Sequence, residues 1–384
     1  MPVAGIVARP GGHDVPPVVR PRLERGEALR IILDLELQKP QFALIEEPEV
    51  HLHPGLERVL HRYLVSKSND VQLFIATHSA NFLDASARQN VYLVSRHRGA
   101  PGQILRVATE DDLIKVSDDV GLKPSTVLMF DHLVFVEGPS DEAVLREMAK
   151  TLNVDFAASN TAFVVMGGSS RFGQFAAESI LDLLSRRRVR MTFILDRDEA
   201  HNDDVQKIVD RAGERARVHV LVKRELENYL IHPDAIKRRI EEKSKTAAIP
   251  VSPELSQIDA EISEKCESLK ARAIELRLNK WSLSPIYPFR FEGDPVAKLN
   301  LTKLELESRI AEYDTTRLTI EADIEKGWSE QRSIEVVPGG ELLDLVFQTF
   351  GLRYRKDVDP QEIAKFIPRE SIEKEISQII KGCG

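Results

Sequence analysis

Two short segments place acids where apolar runs end. Leu133-Val134-Phe135-Val136-Glu137-Gly138-Pro139-Ser140-Asp141 is an apolar strand pattern, then Glu-Gly, then an acid at the start of a helical pattern. Phe193-Ile194-Leu195-Asp196-Arg197-Asp198 is a second apolar run, closed by D-x-D. In a parallel sheet both sets emerge at the C-terminal ends of their strands, where such folds build their sites. Glu137, Asp141, Asp196 and Asp198 would then converge as hard oxygen donors suited to Mg²⁺ or Mn²⁺. Two such ions clamp the attacking and leaving oxygens of a phosphodiester. Glu137, Asp196 and Asp198 are the expected catalytic acids, with Asp141 completing the metal shell. Gly138 is expected to let the backbone turn tightly beside the metal. Each segment alone has a plainer explanation, Asp141 as a helix N-cap and D-x-D as a surface turn. Together, in this order and separated by a β-α-β stretch, they favour the metal site.

An earlier pair of acids points to a different reaction. Phe42-Ala43-Leu44-Ile45-Glu46-Glu47-Pro48-Glu49 is an apolar strand that ends in carboxylates. Nucleotide hydrolysis uses this arrangement: one carboxylate (Glu46) joins the Mg²⁺ shell and the next (Glu47) orients the attacking water. Phe74-Ile75-Ala76-Thr77-His78-Ser79 sets His78 just past the next strand, in reach of a γ-phosphate. An acidic turn after a strand is the plainer reading of the first segment alone. The sequence contains no G-x-x-x-x-G-K-[ST] phosphate loop, whose backbone amides and Lys would cradle the phosphates. ATP binding is therefore expected only if a missing N-terminal region or a partner supplies that loop.

The elements that must position these residues follow from periodicity. Residues 1–24, rich in Pro, Gly and Val, read as a flexible N-terminal segment. A helix is expected over Gly26–Leu37, a strand over Phe42–Ile45, a helix over Leu56–Val65 and a strand over Val71–Ala76. Val91–Val94 and Ile104–Val107 read as paired outer strands around a Gly-Ala-Pro-Gly turn. From about residue 129 to 240, strands at Leu133–Val136, Phe163–Met166, Met191–Leu195 and Val218–Val222 alternate with helices at Asp141–Leu152, up to about Arg187, and Asp204–Ala212. That alternation predicts an α/β fold with a parallel sheet. Residues 250–330 read as two long charged helices, 253–280 and 298–327, and 331–384 as a helical tail. Ile258, Ile262, Leu269, Ile274 and Leu276 are spaced to share a helical face, for docking on the chain's own sheet domain or on a second copy.

The formal net charge is -8, so any nucleic-acid binding must come from a local basic groove. Cys266 and Cys383 fit no metal-ligand spacing and suggest a reducing compartment, read as the cytoplasm. No apolar run is long enough to span a bilayer, and the N-terminus lacks a signal-peptide core.

The series Ile45-Glu46-Glu47-Pro48-Glu49-Val50-His51-Leu52-His53-Pro54, followed by Ala76-Thr77-His78-Ser79, resembles the Walker B, D-loop and switch-histidine segments of ABC-type ATPases. It looks most like the ATPase half of the overcoming-lysogenization-defect (OLD) family. Leu23-Glu24-Arg25-Gly26-Glu27 resembles a degraded ABC signature, matching at Gly26 and Glu27. The Glu137 and Asp196-Arg197-Asp198 segments resemble a Toprim domain. Glu225-Leu226-Glu227-Asn228-Tyr229-Leu230 resembles the E-x-E-N-Y-L segment of OLD-like proteins. That resemblance implies Glu227, or next Glu225, as a further ligand. Val337-Pro338-Gly339-Gly340-Glu341-Leu342-Leu343 resembles a P-G-K-E-L-L segment whose Lys in relatives supports the reaction; Gly340 stands where that Lys would be. Lys223, Arg224 and Arg197 are then the candidates to stabilise developing charge. Together these imply a partial ABC-type ATPase fold ahead of a Toprim domain. The expected function is a Mg²⁺- or Mn²⁺-dependent DNA endonuclease, in defence against phage or foreign DNA, working as a homodimer or with a partner ATPase subunit. The alternative is a non-catalytic partner subunit of a complete ATPase.

Overall fold

The computed structural model describes residues 3–7, 27–85, 91–95, 103–106, 124–177, 181, 184, 189–200, 202–246, 250–283 and 294–384. The chain divides into two compact units, Met1–Leu133 with Gly173–Arg190, and Val134–Phe172 with Met191–Gly384.

The first unit is built on a five-stranded sheet of order β2-β3-β1-β4-β5. Its strands are β1 (Val3–Val7), β2 (Phe42–Glu46), β3 (Gln72–Thr77), β4 (Val91–Ser95) and β5 (Gln103–Arg106). β2 runs parallel to β3, with Glu46 opposite Ala76. β4 and β5 pair antiparallel, as the sequence predicts. Helices α1 (Glu27–Gln38), α2 (Pro54–Lys67), α3 (Ala80–Ala85) and α4 (Pro124–Met129) complete this unit. Leu35, Leu60, Leu64, Leu73, Ile75 and Phe82 form its apolar centre.

The N-terminal segment departs from expectation at Val3–Val7. These residues are not a loose tail but the middle strand of the sheet, antiparallel to β3 on one side and to β4 on the other. Two strand edges offer their hydrogen-bonding groups to one segment rich in β-branched residues, and that pairing outweighs the Pro and Gly around it. The expected signature residues 23–26 and the Gly-Ala-Pro-Gly turn lie outside the described residues, as do Pro285, Pro288 and much of the helix expected up to Arg187.

The second unit holds a four-stranded sheet of order β7-β6-β8-β9. Its strands are β6 (His132–Val136), β7 (Thr161–Val165), β8 (Arg190–Leu195) and β9 (Arg217–Val220). β8 and β9 are parallel, with Leu195 opposite Val220. Phe135 and Phe193 stack at 4.4 Å between ring centroids, fixing β6 against β8. Helix α5 (Pro139–Leu152) follows β6, and α6 (Asn202–Ala212) precedes β9. The helices beyond include α7 (Pro233–Thr246), α8 (Leu255–Ser268), α9 (Lys270–Leu283), α10 (Pro295–Ser329), α11 (Gly339–Thr349), α12 (Asp359–Ala364) and α13 (Lys374–Cys383).

The segment read as one helix over 253–280 is two helices. The break falls at Leu269, whose N–H bonds back to Lys265 and Cys266 while its buried side chain enters the core. A residue drawn inward at the end of one helix lets the chain change direction, which helical periodicity alone does not register. Ile258, Ile262 and Leu269 of the expected apolar stripe are buried in the same core as Val136, Leu145, Leu342 and Ile376. The stripe therefore docks inside its own chain. Helices α9 and α10 pack together and close on Ala273, Ile320 and Ile324.

Candidate metal centre

Glu137 follows the last residue of β6, and Asp196 follows the last residue of β8. β6 and β8 are sheet neighbours, so the two acids leave the sheet side by side. The link is direct: the Asp196 N–H donates to Glu137 Oε1 at 2.9 Å. Asp196 in turn accepts the Leu226 N–H on Oδ1 at 2.9 Å. That contact brings in the short helical turn Leu226–Leu230, where Glu227 is buried.

Asp141 enters from α5. Gly138 is the N-cap, Pro139 opens the first turn, and Asp141 Oδ2 accepts the Gly138 N–H at 2.7 Å. Asp141 is thus the third residue of the helix, its carboxylate reaching back to the N-cap N–H, rather than serving as the N-cap itself. Gly138 also differs from expectation. Its backbone is extended, φ −133°, and an added Cβ would meet only ordinary contacts. The tight turn lies instead at Gly167 and Gly168, with φ of 82° and 114°. Both donate their N–H to the Glu137 carbonyl, at 2.9 and 3.0 Å, and so fix the backbone of the first acid. The Gly-Gly pair after β7 was the sequence signal for this turn.

Asp198 sits at a positive φ of 48°, with its N–H donating to the Arg224 carbonyl at 2.8 Å. Arg224 is itself buried and ion-paired to Glu199 and Glu225. Glu225 Oε2 accepts the Gly340 N–H at 3.1 Å. The adjoining Gly339 allows a close approach that no side chain would permit, since a Cβ there would lie 2.8 Å from the Asn228 backbone nitrogen. Asn228 is buried, accepts the Glu225 N–H, and donates to the carbonyls of Ile334 and Val337. The E-x-E-N-Y-L and P-G-G-E-L-L segments are thereby one structural piece.

Burial acts on all these acids in the same direction, and neighbouring carboxylates add to it at Glu137, Asp196, Asp198 and Glu227. Glu137 is pushed up to about 7, first by burial and then by Asp198 and Asp141. Asp196 is held well above the usual carboxylate range by burial, then by Asp141, Glu137, Glu227 and Asp198. Burial is also the leading cause of the upward shifts of Asp141, Asp198 and Glu227. A small depression lined by Ser140, Asp141, Leu226 and Glu227 opens beside them. Among the described residues, no three His, Cys, Asp or Glu side chains close on a single metal position. The fit to a metal is one of donor chemistry: all five groups are hard oxygen donors, and their shared repulsion is what a divalent cation relieves.

The expected charge-stabilising residues are each engaged within the chain, and Arg224 bears on Asp198 from its ion pairs. Lys223 is ion-paired to Glu373, Arg224 to Glu199 and Glu225, and Arg197 donates to the Leu221 carbonyl. Lys356, unmarked by any motif, lies 3.5 Å from Glu227 Oε1.

In the first unit Glu46 is exposed at the end of β2. Glu47 has a positive φ of 47° and donates its N–H to the Ala76 carbonyl at 2.7 Å. The His78 ring nitrogen Nε2 stands 3.8 Å from Glu47 Oε1, so these two predicted residues do come together. Glu49, which sequence reasoning passed over, organises their turn. Its Oε1 accepts the Thr77 hydroxyl at 2.6 Å and the His78 N–H at 2.9 Å.

A family model described as "AAA ATPase domain" matches residues 27–83. One described as "Overcoming lysogenization defect protein-like, TOPRIM domain" matches residues 128–198. The chain thus carries an AAA-type ATPase segment followed by an OLD-like TOPRIM domain. It is 27% identical over 184 residues to an OLD nuclease of Thermus scotoductus, an alignment covering 45% of this chain and 33% of that protein. The chain therefore spans about a third of the length of this curated relative. It is also similar to the C-terminal region of the Burkholderia pseudomallei OLD protein, at 12% identity and a TM-score of 0.30, covering 66% of this chain and 96% of that one.

Proposed function

We propose that this chain is a Mg²⁺- or Mn²⁺-dependent DNA endonuclease. The observation that carries the reading is the set of five carboxylates, Glu137, Asp141, Asp196, Asp198 and Glu227, gathered beside the strand ends and all held above their ordinary range. Glu137, Asp196 and Asp198 are the ligands nearest the chemistry, with Asp141 and Glu227 completing the shells. Bound there, divalent ions supply charge neutralisation and an activated water for phosphodiester hydrolysis. The chain's own part is to orient the acids through the Asp196–Glu137 and Leu226–Asp196 hydrogen bonds. The ATPase segment, with Glu46, Glu47 and His78, serves to gate or assemble the nuclease, as a homodimer or with a partner ATPase that provides the phosphate loop. Defence against phage or foreign DNA is the role that suits such a pairing.

One observation favours a second reading, a non-catalytic partner subunit: Gly340 offers only its N–H to Glu225, at the position where the P-G-K-E-L-L pattern that this segment resembles has a Lys. Incubation with supercoiled plasmid and Mn²⁺ separates the two. Nicking by the wild-type chain that is lost in Asp196→Asn, with an unchanged far-ultraviolet circular dichroism spectrum, supports the endonuclease. No nicking by the wild type, or nicking that survives Asp196→Asn, overturns it.

A further inference from the structure

The second unit leaves one turn both firmly anchored and positively charged. Arg353-Tyr354-Arg355-Lys356 lies between α11 and α12. Tyr354 is buried and packs edge-on against Phe347, at 5.6 Å between ring centroids. The Arg355 N–H donates to the buried carboxylate of Asp359 at 2.6 Å. Arg239 and Lys243 of α7 bind that same carboxylate, so the turn is pinned from below. Above it, Arg353, Arg355 and Lys356 are exposed.

Lys356 reaches across to the acid cluster. Its ammonium stands 3.5 Å from Glu227 Oε1. The two partners differ sharply in freedom, with side-chain exposures of 69% for Lys356 and 4% for Glu227. The contact is long and single, and one end is solvated, so it holds the lysine weakly. The carboxylate end is buried, so while ionised it needs a counter-charge. Arg224 is occupied by two carboxylates, and Lys223 by Glu373.

We propose that Lys356 is the phosphate-binding cation of this site, resting on Glu227 until a divalent metal takes that carboxylate and then turning to the backbone of the nucleic acid. The substrate class follows from the nuclease reading, on which this inference rests. An ammonium on a long flexible stem suits this exchange, because it pairs as a point charge and needs no fixed fork geometry. Arg353 extends the positive surface along the same turn, where Arg355 is paired with the exposed Asp357; this is the local basic feature that a chain of net negative charge requires.

Two measurements on the full chain test this without relying on cleavage. Mn²⁺ titration followed by electron paramagnetic resonance compares wild type, Lys356→Met and Lys356→Arg. Removing the competing ammonium should tighten Mn²⁺ binding by about three- to tenfold in Lys356→Met, whereas Lys356→Arg should stay near wild type. With Ca²⁺ in place of Mn²⁺, anisotropy of a labelled oligonucleotide should show Lys356→Met binding several-fold more weakly. Its salt dependence should be shallower by about one phosphate contact. Unchanged or weaker Mn²⁺ binding in Lys356→Met overturns the resting contact on Glu227. An unchanged salt slope overturns the phosphate role. Absence of plasmid nicking by the wild type bears on the endonuclease reading instead, and leaves both comparisons able to decide where Lys356 acts.

Discussion

Asp196 donates its backbone N–H to the side chain of Glu137, 59 residues earlier, so the second acid of the site holds the first in place. The bond favours the charged form of Glu137, yet burial and the neighbouring acids outweigh it and leave the group near 7. The folded chain therefore holds this proton more tightly than the unfolded chain does. The cost of ionising Glu137 is absent below its ordinary pKa of 4.5, grows as pH rises toward 7, and is complete above that. Glu137→Gln removes this cost while keeping an oxygen for the Asp196 N–H. In EDTA the variant should melt with the wild type near pH 4.5 and a few degrees above it at pH 8, a gain on the order of 1–2 kcal/mol. A variant less stable than wild type at pH 8 would contradict the assignment.

Metal should reverse that balance. At pH 8, Mn²⁺ at a hundred times its dissociation constant should stabilise the wild-type chain by about 2.7 kcal/mol, since it binds only the folded acids. Asp196→Asn should show little of this upward shift. Differential scanning fluorimetry with and without Mn²⁺ reads both, and equal shifts in the two proteins would remove Asp196 from the ligand set.

Gly339 and Gly340 provide a matched pair of substitutions. A Cβ at Gly339 would press on the Asn228 backbone at 2.8 Å, whereas at Gly340 it would meet the Glu225 carboxylate at an ordinary 3.8 Å. Gly339→Ala should destabilise the chain by about 1–3 kcal/mol and Gly340→Ala by much less. Urea unfolding of the two variants decides it, and equal midpoints would show that the close approach does not constrain the fold.

Tyr354 carries a hydroxyl that is buried without a hydrogen-bond partner among the described residues. Removing it should relieve a desolvated polar atom while keeping the ring on Phe347. Tyr354→Phe is therefore expected to equal or exceed the wild type in thermal stability. A clear drop would reveal a partner for the hydroxyl.

Glu47 and His78 lead to a negative expectation. Glu47 and His78 meet at 3.8 Å, but nothing in the sequence offers a phosphate loop. The isolated chain should show no ATP hydrolysis above background by phosphate release. Turnover that disappears in Glu47→Gln would show that the loop's role is met by other residues of this chain.

What could be read from the sequence was what repeats locally. Apolar runs marked β2, β3, β6 and β8, and acids at their ends marked Glu46, Glu47, Glu137 and Asp196. Val3–Val7 escaped because its strand exists only through partners far along the chain. The break at Leu269 escaped because a buried leucine continues a helical pattern just as well as it ends one. Lys356 and the Gly167–Gly168 turn escaped for a related reason. A lysine in a basic turn or a pair of glycines after a strand carries no mark of the acid it will face, and only the folded chain brings them to Glu227 and Glu137.

The last residues of the chain close onto its middle. The Thr161 hydroxyl donates to the Cys383 carbonyl, and Ile376, Ile379 and Ile380 are buried in the same core as Val136 and Leu145. Pairings this distant in sequence form late, because the loop between them must be ordered first. During synthesis the acids at 137, 196 and 227 leave the ribosome well before the turn at 356, which meets Glu227, and the helix at 374–383, which packs into the core beneath their strands. A chain made only as far as residue 230 accordingly holds the acids without their finished setting. The acids are thus made first and set last, by segments that follow them in translation.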